Sequence, residues 1–260
     1  MTILYKNKGE VSKLDNYRGI FIRIIILSIL QKWLYTKCSP IVDNNGTEYA
    51  FGGRKGRSLK EALLIVRLIQ DHSRWTKKPL IIKFLDVTKF FDMMNFRKCL
   101  IELYRSGIHG KMWRLYQVTN EFKICTPQTP LGKCSKLDVN EVFLQGSSDA
   151  MLMAWNVMDA VNKREDDFND PIFTVEGIKI PRTLFVDDIQ QMTRNIDDLK
   201  ASLIDDETVE KANRFNFKPA KCKVMFQHCE AAKVELDNTE LENVPEHVYL
   251  GNRSKWQEKN

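Results

Sequence analysis

An aspartate doublet, Asp187-Asp188, has the residue types and spacing best suited to chemistry in this chain. The apolar segment 183–186 precedes it, and this pattern is typical of a strand that ends in a tight hairpin. Adjacent ionised carboxylates repel each other, and burying them without a counter-charge is costly. A divalent metal ion removes that cost, and magnesium prefers hard oxygen ligands. An acidic pair in a solvated turn has the same sequence, so the doublet alone leaves both interpretations open.

A third carboxylate, Asp86, ends another short apolar segment. Residues 80–85 follow Pro79, are mostly apolar and are typical of a buried strand. If this strand lies beside the strand of the doublet in one sheet, Asp86 and Asp187 can share two metal ions. That arrangement serves phosphoryl transfer, in which one metal activates a 3′-hydroxyl and the other holds a triphosphate.

Helix and strand patterns alternate around these carboxylates. Ser58 and Glu61 form a capping box that opens a helix, and Asn95 is predicted to cap another helix. Further elements are predicted as strands and turns over residues 122–144, helices over 147–161 and 196–214, and a hairpin across Glu176-Gly177. Mixed helices and antiparallel strands indicate an α+β fold.

Composition is that of an ordinary globular protein, with 43% hydrophobic and 28% charged residues. The net charge of +6 is uneven, because residues 1–60 hold eleven Lys and Arg against four Asp and Glu. That segment carries +7 and the remainder about −1. A basic N-terminal part favours a surface that grips phosphates, although a merely solvated basic surface gives the same count.

Neither the cysteines nor the longest apolar run predicts a special site. The six cysteines have no Cys-x-x-Cys spacing, which argues against a zinc site and favours free thiols in a reducing compartment. Residues 20–30 are apolar but contain Arg23 and are too short to span a bilayer. They are predicted to form a buried element of the N-terminal part.

Seven short motifs occur in order along nearly the whole chain. They are Asn-Tyr-Arg-Gly-Ile at 16–20, Phe-Gly-Gly-Arg-Lys-Gly-Arg-Ser at 51–58, Asp-Val-Thr-Lys-Phe-Phe-Asp at 86–92, Gln145-Gly146, Phe-Val-Asp-Asp at 185–188, Lys-Cys-Lys-Val-Met at 221–225 and Tyr-Leu-Gly at 249–251. In type and order this set resembles the motifs of reverse transcriptases of non-LTR (LINE-type) retrotransposons.

The resemblance implies an RNA-directed DNA polymerase domain that adds dNTPs to a primer 3′-hydroxyl. It implies catalysis with two Mg²⁺ ions, or Mn²⁺, held by Asp86, Asp187 and Asp188. Lys221 would protonate the leaving pyrophosphate as a general acid, and Lys223 is an equal candidate. The implied nucleotide-binding residues are Phe91, Gln145, Gly146, Arg18, Lys55 and Arg57. Among these, the Phe91 ring would collide with a ribose 2′-hydroxyl.

The same resemblance implies a right-hand polymerase architecture with an antiparallel palm sheet and helices packed on it. Residues 1–78 would be fingers-like, 79–252 the palm with a fingers insertion at about 107–144, and 253–260 a tail, without a thumb or an endonuclease. The implied partners are an RNA template, a DNA primer, dNTPs and the rest of a larger retrotransposon polyprotein, but no membrane. The location would be intracellular, and nuclear by family habit alone.

Departures from the family pattern leave an alternative open. Gly19 stands where Pro is usual, Phe90 replaces a small residue, and Gln145-Gly146 continues into Ser-Ser-Asp-Ala. The alternative is a catalytically idle, truncated remnant that only binds nucleic acid. An RNA-templated RNA polymerase is disfavoured by Phe91 and by the Phe-Val that precedes the aspartate doublet.

Overall fold

The fold is given by a computed structural model, which describes residues 2–7, 9–88, 90–121, 124–129, 132–138, 149–166, 173–175, 177–180, 182–213, 215–249 and 252–255. The helices are α1 (Ile25–Asn44), α2 (Leu59–Thr76), α3 (Phe90–Met93), α4 (Phe96–Arg105), α5 (Gly110–Glu121), α6 (Ala150–Asp166) and α7 (Ile196–Asn213).

The strands are short outside one central sheet. They are β1 (Thr2–Tyr5), β2 (Tyr17–Ile20), β3 (Leu80–Asp86), β4 (Ile124–Cys125), β5 (Gln128–Thr129), β6 (Gly132–Lys133), β7 (Leu137–Asp138), β8 (Phe173–Val175), β9 (Ile178–Ile180), β10 (Arg182–Phe185), β11 (Asp188–Thr193), β12 (Lys223–Gln227), β13 (Glu235–Leu236), β14 (Thr239–Glu240), β15 (Glu242–Asn243), β16 (Glu246–Tyr249) and β17 (Asn252–Lys255).

The chain divides into two compact units, each formed by two separate segments. The helical unit comprises residues 1–45 and 91–156, and the sheet unit comprises residues 46–90 and 157–260. The assignment of fingers, palm and tail to ranges 1–78, 79–252 and 253–260 stays a prediction.

A five-stranded sheet with the order β10-β11-β3-β12-β15 forms the centre of the sheet unit. Its pairs are antiparallel except for β12 with β15, which run parallel. Successive side chains of a strand point to opposite faces, so β3 presents Leu80, Ile82 and Phe84 to one face and Lys83 to the other. Both faces are buried along β3, as its nearly continuous apolar sequence predicts.

Helix α2 covers the first face of this sheet. Its predicted capping box is confirmed, since the Ser58 side chain accepts from the Glu61 N–H while the Glu61 carboxylate accepts from the Ser58 N–H. Val66 and Ile69 of this helix pack with sheet residues in one buried cluster: Leu80, Ile82, Phe84, Phe173, Met192 and Met225. Helix α7 packs on the opposite face, where Ser202 and Asp206 contact Lys83.

The helical unit is built on α1, α4 and α5, with a small sheet in the order β2-β1-β5-β6. Asn95 caps α4 as predicted, because its side chain accepts from the Lys98 N–H at 3.1 Å. Helix α4 ends next to Gly107, whose φ of 95° lies in the left-handed region that favours glycine. The α+β prediction is therefore confirmed in both units.

The prediction of a buried element over residues 20–30 is wrong. Ile22, Ile24, Ile25 and Ile26 are each more than 70% exposed, and Ile29 is 65% exposed. The apolar residues are consecutive here and do not recur at helical spacing, so α1 cannot turn all of them toward one packed side. Among the described residues, no helix is long and apolar enough to cross a membrane.

Candidate active site

Asp86 and Asp188 stand directly opposite each other on neighbouring strands. Strand β11 pairs antiparallel with β3, and the register places Asp188 against Asp86 and Ile189 against Leu85. The prediction that Asp86 and the aspartate doublet lie side by side in one sheet is therefore confirmed, but the strand that brings them together is a different one. The neighbour of β3 is the strand that begins at the doublet, not the strand over residues 183–186 that precedes it.

Asp187 lies in the two-residue turn that joins β10 to β11. Phe185 and Asp188 form the last pair of this hairpin, so Val186 and Asp187 make the turn. Val186 has a φ of 60°, which is a backbone outlier for a β-branched residue and costs about 1–3 kcal/mol. Such a conformation persists only where the surroundings impose it, and the turn therefore presents Asp187 in a defined direction beside Asp188.

The segment 49–52 imposes part of that conformation by pairing with β10. The Phe51 N–H donates to the Leu184 carbonyl at 2.8 Å, and the Leu184 N–H donates to the Tyr49 carbonyl at 3.0 Å. Gly52 follows directly, and a Cβ there would lie 2.5 Å from the backbone N of Val186. Phe51 and Gly52 belong to a motif of the predicted family, but the contact of this segment with the turn was not predicted, and the adjacent glycines 52 and 53 were the available signal.

Replacing Gly52 with Ala is expected to distort the turn that carries Asp187. The added methyl group cannot fit against backbone atoms, so we expect a loss of about 1–3 kcal/mol in the free energy of unfolding. Gly56→Ala is the control, since nothing lies within 4 Å of its Cβ position and only its φ of 76° opposes the change. Urea unfolding measures both costs, that of Gly56→Ala giving the cost of backbone strain alone, and an unchanged free energy of unfolding in Gly52→Ala would contradict the close approach at Gly52.

Lys221 supplies the counter-charge of the carboxylate group. Its Nζ lies 2.9 Å from both Oδ1 and Oδ2 of Asp86. Burial raises the pKa of Asp187, and the charge of Asp86 adds to the effect while Lys221 opposes it. Burial also raises the pKa of Asp188 to about 6, with contributions from the charges of Asp187 and Asp86. The three carboxylates therefore repel one another, and Lys221 offsets only part of that repulsion.

Of the two lysines proposed for this site, Lys221 is the one at the carboxylates. The Lys223 ammonium instead pairs with Glu242, across the parallel pair formed by β12 and β15. The structure distinguishes the two lysines because Lys221 lies in the turn before β12, whereas Lys223 is the first residue of that strand. Whether Lys221 acts as a general acid stays a prediction.

The donor chemistry of this group fits a hard divalent cation. Three carboxylates that repel one another come together here from a turn and from the ends of two paired strands. Carboxylate oxygens are ligands that magnesium prefers. Within the described ranges, however, no set of three or more His, Cys, Asp or Glu side chains is arranged to hold a metal ion as it stands. Asp86 is turned to Lys221 in this arrangement, so metal ligation by Asp86, Asp187 and Asp188 stays a prediction.

A pocket of about 350 Å³ opens beside the carboxylates. Its lining includes Phe84, Asp86, Asp188, Lys221, Lys223 and His247. The His247 ring, on β16, lies 4.4 Å from the Phe84 ring, and burial lowers its pKa, as does the charge of Lys223. A neutral imidazole beside Lys223 can accept a hydrogen bond at neutral pH. Sequence reasoning missed His247, although the Tyr-Leu-Gly motif begins two residues later.

The segment after α7 holds the end of β3 in place. The Lys218 N–H donates to the Asp86 carbonyl at 2.9 Å, and the Thr88 N–H donates to the Asn216 carbonyl at 2.7 Å. Glu210, on α7, anchors this segment by accepting from the Phe217 N–H at 3.0 Å. Burial, together with the hydrogen bond to Asp237 and its charge, raises the pKa of Glu210 to about 7.

Replacing Glu210 with Gln is expected to stabilise the protein at pH 8 and to remove a pH dependence. The folded pKa of Glu210 lies above the ordinary 4.5, so the folded state binds more protons, and stability falls as pH rises from 4.5 through about 7. Gln keeps the acceptor for Phe217, and we expect a gain of about 1–2 kcal/mol at pH 8. Urea unfolding from pH 5 to pH 8.5 measures this, with exposed Glu235→Gln as control. An unchanged pH slope would reject the assignment.

Within the sheet unit, no described contact joins Lys55 or Arg57 to the carboxylates, and the other predicted nucleotide-binding residues lie in the helical unit or outside the described residues. Lys55 and Arg57 are exposed in the sheet unit, where the Arg57 guanidinium lies 5.9 Å from the Phe51 ring centre. Phe91 is half-buried in α3 and belongs to the helical unit. Arg18 lies on β2 opposite Leu4, and its side chain is outside the description. Gln145 and Gly146 lie outside the described residues.

Arg54 is a basic residue of the same stretch that sequence reasoning did not single out. Its guanidinium donates to the carbonyls of Thr47 and Ala50. It therefore supports the loop that leads into the segment 49–52, rather than extending into solvent as Lys55 does.

Residues 5–253 match the sequence model of the family described as "Reverse transcriptase (RNA-dependent DNA polymerase)". The match covers nearly the whole chain, and the chain therefore belongs to the reverse transcriptase family. It is a domain of the RNA-directed DNA polymerase type. A search among curated proteins gave no match.

Solved structures with a similar fold come from telomerases and viral RNA polymerases. Apo telomerase from Candida tropicalis, truncated from its C-terminal domain, is 14% identical with a TM-score of 0.55, over 90% of this chain and 49% of that chain. Telomerase from Candida albicans, in complex with the TWJ fragment of telomeric RNA, is 11% identical with a TM-score of 0.59, over 88% of this chain and 38% of that chain.

A viral enzyme gives a similar comparison. BmCPV RNA-dependent RNA polymerase at the elongation state is 12% identical with a TM-score of 0.57, over 92% of this chain and 21% of that chain. The chain thus spans about half or less of the length of these neighbours. At such identities the likeness concerns the fold, and it confirms the predicted polymerase fold with fingers and palm.

Proposed function

We propose that this domain is an RNA-directed DNA polymerase that extends a DNA primer on an RNA template with dNTPs. The observation that carries the proposal is the pairing of Asp86 with Asp188 beside the strained turn of Asp187. Family membership supports the same reaction class. The order of the seven motifs supports origin in a non-LTR retrotransposon. By the habit of that family, the domain would be part of a larger polyprotein that acts in the nucleus.

Asp86, Asp187 and Asp188 would hold two Mg²⁺ ions, or Mn²⁺, in this proposal. When bound, such ions activate the primer 3′-hydroxyl and neutralise the triphosphate. The protein's own contribution is to bring three carboxylates together from a turn and from the ends of two paired strands, so that Asp86 would exchange Lys221 for the metal ions on binding. Lys221 lies beside the same carboxylates, where its ammonium can donate a proton to the departing pyrophosphate.

Primer extension on poly(rA)/oligo(dT) tests the proposal. The purified chain is incubated with Mg²⁺ or Mn²⁺ and dTTP, and extension products are resolved by length. Template-dependent extension supports the polymerase. Salt-sensitive binding of the primer–template without extension would instead support the idle nucleic-acid-binding remnant. A parallel reaction with UTP separates a DNA polymerase from an RNA polymerase, which the fold comparison leaves open because both kinds of enzyme share it.

Replacing Phe91 with Val is expected to raise incorporation of ribonucleotides. A smaller side chain would admit the 2′-hydroxyl, so we expect the preference for dTTP over UTP to fall about tenfold or more. The buried Phe96 of α4 offers a matched control, since Phe96→Val removes the same atoms from the core of the helical unit. Competition between dTTP and UTP measures the ratio, and unchanged sugar selectivity in Phe91→Val would reject the role.

A further inference from the structure

A buried charge cluster crosses the face of the central sheet that α7 covers. Arg182 of β10 stands opposite Gln191 of β11, which stands opposite Lys83 of β3. Lys83 and Arg182 are each 1% exposed, and Asp206 of α7 is fully buried. The Lys83 ammonium donates to the Asp206 carboxylate and, at 2.9 Å, to the Ser202 hydroxyl. Nη1 of Arg182 lies 3.8 Å from Oδ1 of Asp206.

The charge cluster of Lys83, Arg182 and Asp206 is expected to add little to the free energy of unfolding. Each buried ion loses its hydration at a cost of several kcal/mol, and replacement of buried ion pairs by apolar residues is often neutral or stabilising. Burial lowers the pKa of Arg182 below its ordinary range, which the charge of Asp206 only partly opposes. A feature this costly calls for a role other than filling the core.

The role that fits is control of strand register. The apolar pattern of a strand repeats every two residues, so a hairpin shifted by two residues along β3 would still bury its apolar face. Such a shift would carry Arg182 and Gln191 about 7 Å past Lys83, at about 3.4 Å for each residue. One carboxylate could then no longer serve both cations. It would also move Asp188 away from Asp86, because both pairs belong to the same register.

We propose that Lys83, Arg182 and Asp206 form a register lock, which holds Asp188 opposite Asp86. They are positioning residues on the far face of the sheet and do not touch the reacting groups. The cluster links three elements, because Lys83 lies on β3, Arg182 lies on the hairpin and Asp206 lies on α7. The contacts of Asp206 with both cations form only when these elements are in the native register. The effect of the lock on strand register is independent of the proposed function. Its expected effect on primer extension rests on the proposed function.

An apolar replacement of the whole cluster tests the lock. The triple variant carries Lys83→Met, Arg182→Met and Asp206→Leu, and its control carries Lys233→Gln and Glu240→Gln, which remove an exposed ion pair of the same unit. Cross-strand NMR contacts report the register, because Phe84 faces Gln190 in the native pairing and would face Asp188 or Met192 after a two-residue shift in one direction or the other. Thermal unfolding and primer extension are measured on the same samples.

We expect the triple variant to fold but to show contacts of more than one register. Its extension should fall about 100-fold, since small misplacements of catalytic groups have effects of that size. A triple variant that shows only the native contacts and extends like the wild type overturns the lock. If wild-type extension is absent while the variant loses its single register, the lock stands and the proposed function fails.

A single replacement, Lys83→Met, covers the case in which the triple variant does not fold. It leaves Arg182 and Asp206 as a neutral buried pair, so no uncompensated charge remains in the core. Contacts of more than one register in this variant support the lock. A folded Lys83→Met with the native register alone overturns it, and so does an unfolded one, because the cluster would then serve stability.

Discussion

Replacing Asp187 with Asn is expected to lower primer extension by about 10³-fold or more, because a metal ligand contributes several kcal/mol to such a reaction. The side chain keeps its size and its place in the turn, so the loss would be of charge alone. Removing one of three repelling carboxylates should also stabilise the metal-free protein at neutral pH, since burial and Asp86 both raise the pKa of Asp187. Lower activity with higher stability is the signature of a site built for a ligand.

The control for this variant is Asp197→Asn, which removes an exposed carboxylate from the first turn of α7. It should change extension little and cost only a few tenths of a kcal/mol in helix stability. Metal binding is measured separately, as the rise in melting temperature of the chelator-treated protein on addition of Mn²⁺. That rise should shrink in Asp187→Asn and persist in Asp197→Asn. Full extension by Asp187→Asn would remove Asp187 from the proposed site.

Features that depend on local sequence were predictable. The capping box of Ser58 and Glu61 needs only residues three positions apart, and Asn95 caps α4 for the same reason. The strand that ends at Asp86 could be predicted because it is buried on both faces and therefore reads as an apolar run. The hairpin at the aspartate doublet followed from a similar pattern.

Features that depend on pairing between distant segments were not predictable from local pattern. Tyr49 and Phe51 bond to β10, more than 130 residues later in the chain, and no periodicity in either segment indicates the partner. Lys83 interrupts an apolar run, where sequence alone allows either a solvated or a buried side chain. Only the position of Asp206 on α7 makes its burial possible. The exposed isoleucines at the start of α1 show the converse, since hydrophobic residues need a covering surface to become core.

Replacing Lys221 with Met is expected to lower primer extension by about 10²-fold, the lower limit for loss of a general acid. Met retains most of the aliphatic length of the side chain and removes the ammonium group that contacts both oxygens of Asp86. Lys223→Met is the matched control, since Lys223 lines the same pocket and pairs with Glu242 instead. We expect Lys223→Met to retain most of the activity, so that the ratio between the two variants isolates the contact with Asp86.

Two readouts separate proton donation by Lys221 from simple charge balance. If Lys221 donates a proton, the fall of the extension rate at alkaline pH should disappear in Lys221→Met. In Lys221→Arg that fall should move to higher pH, because Arg remains protonated to a higher pH. If Lys221 merely offsets the carboxylates, Lys221→Arg should retain the full rate, and Lys221→Met should bind Mn²⁺ more tightly than the wild type because no ammonium competes for Asp86. Equal rates and equal Mn²⁺ affinity in wild type and Lys221→Met would contradict both roles and would leave the ion pair as a surface contact without consequence for the reaction.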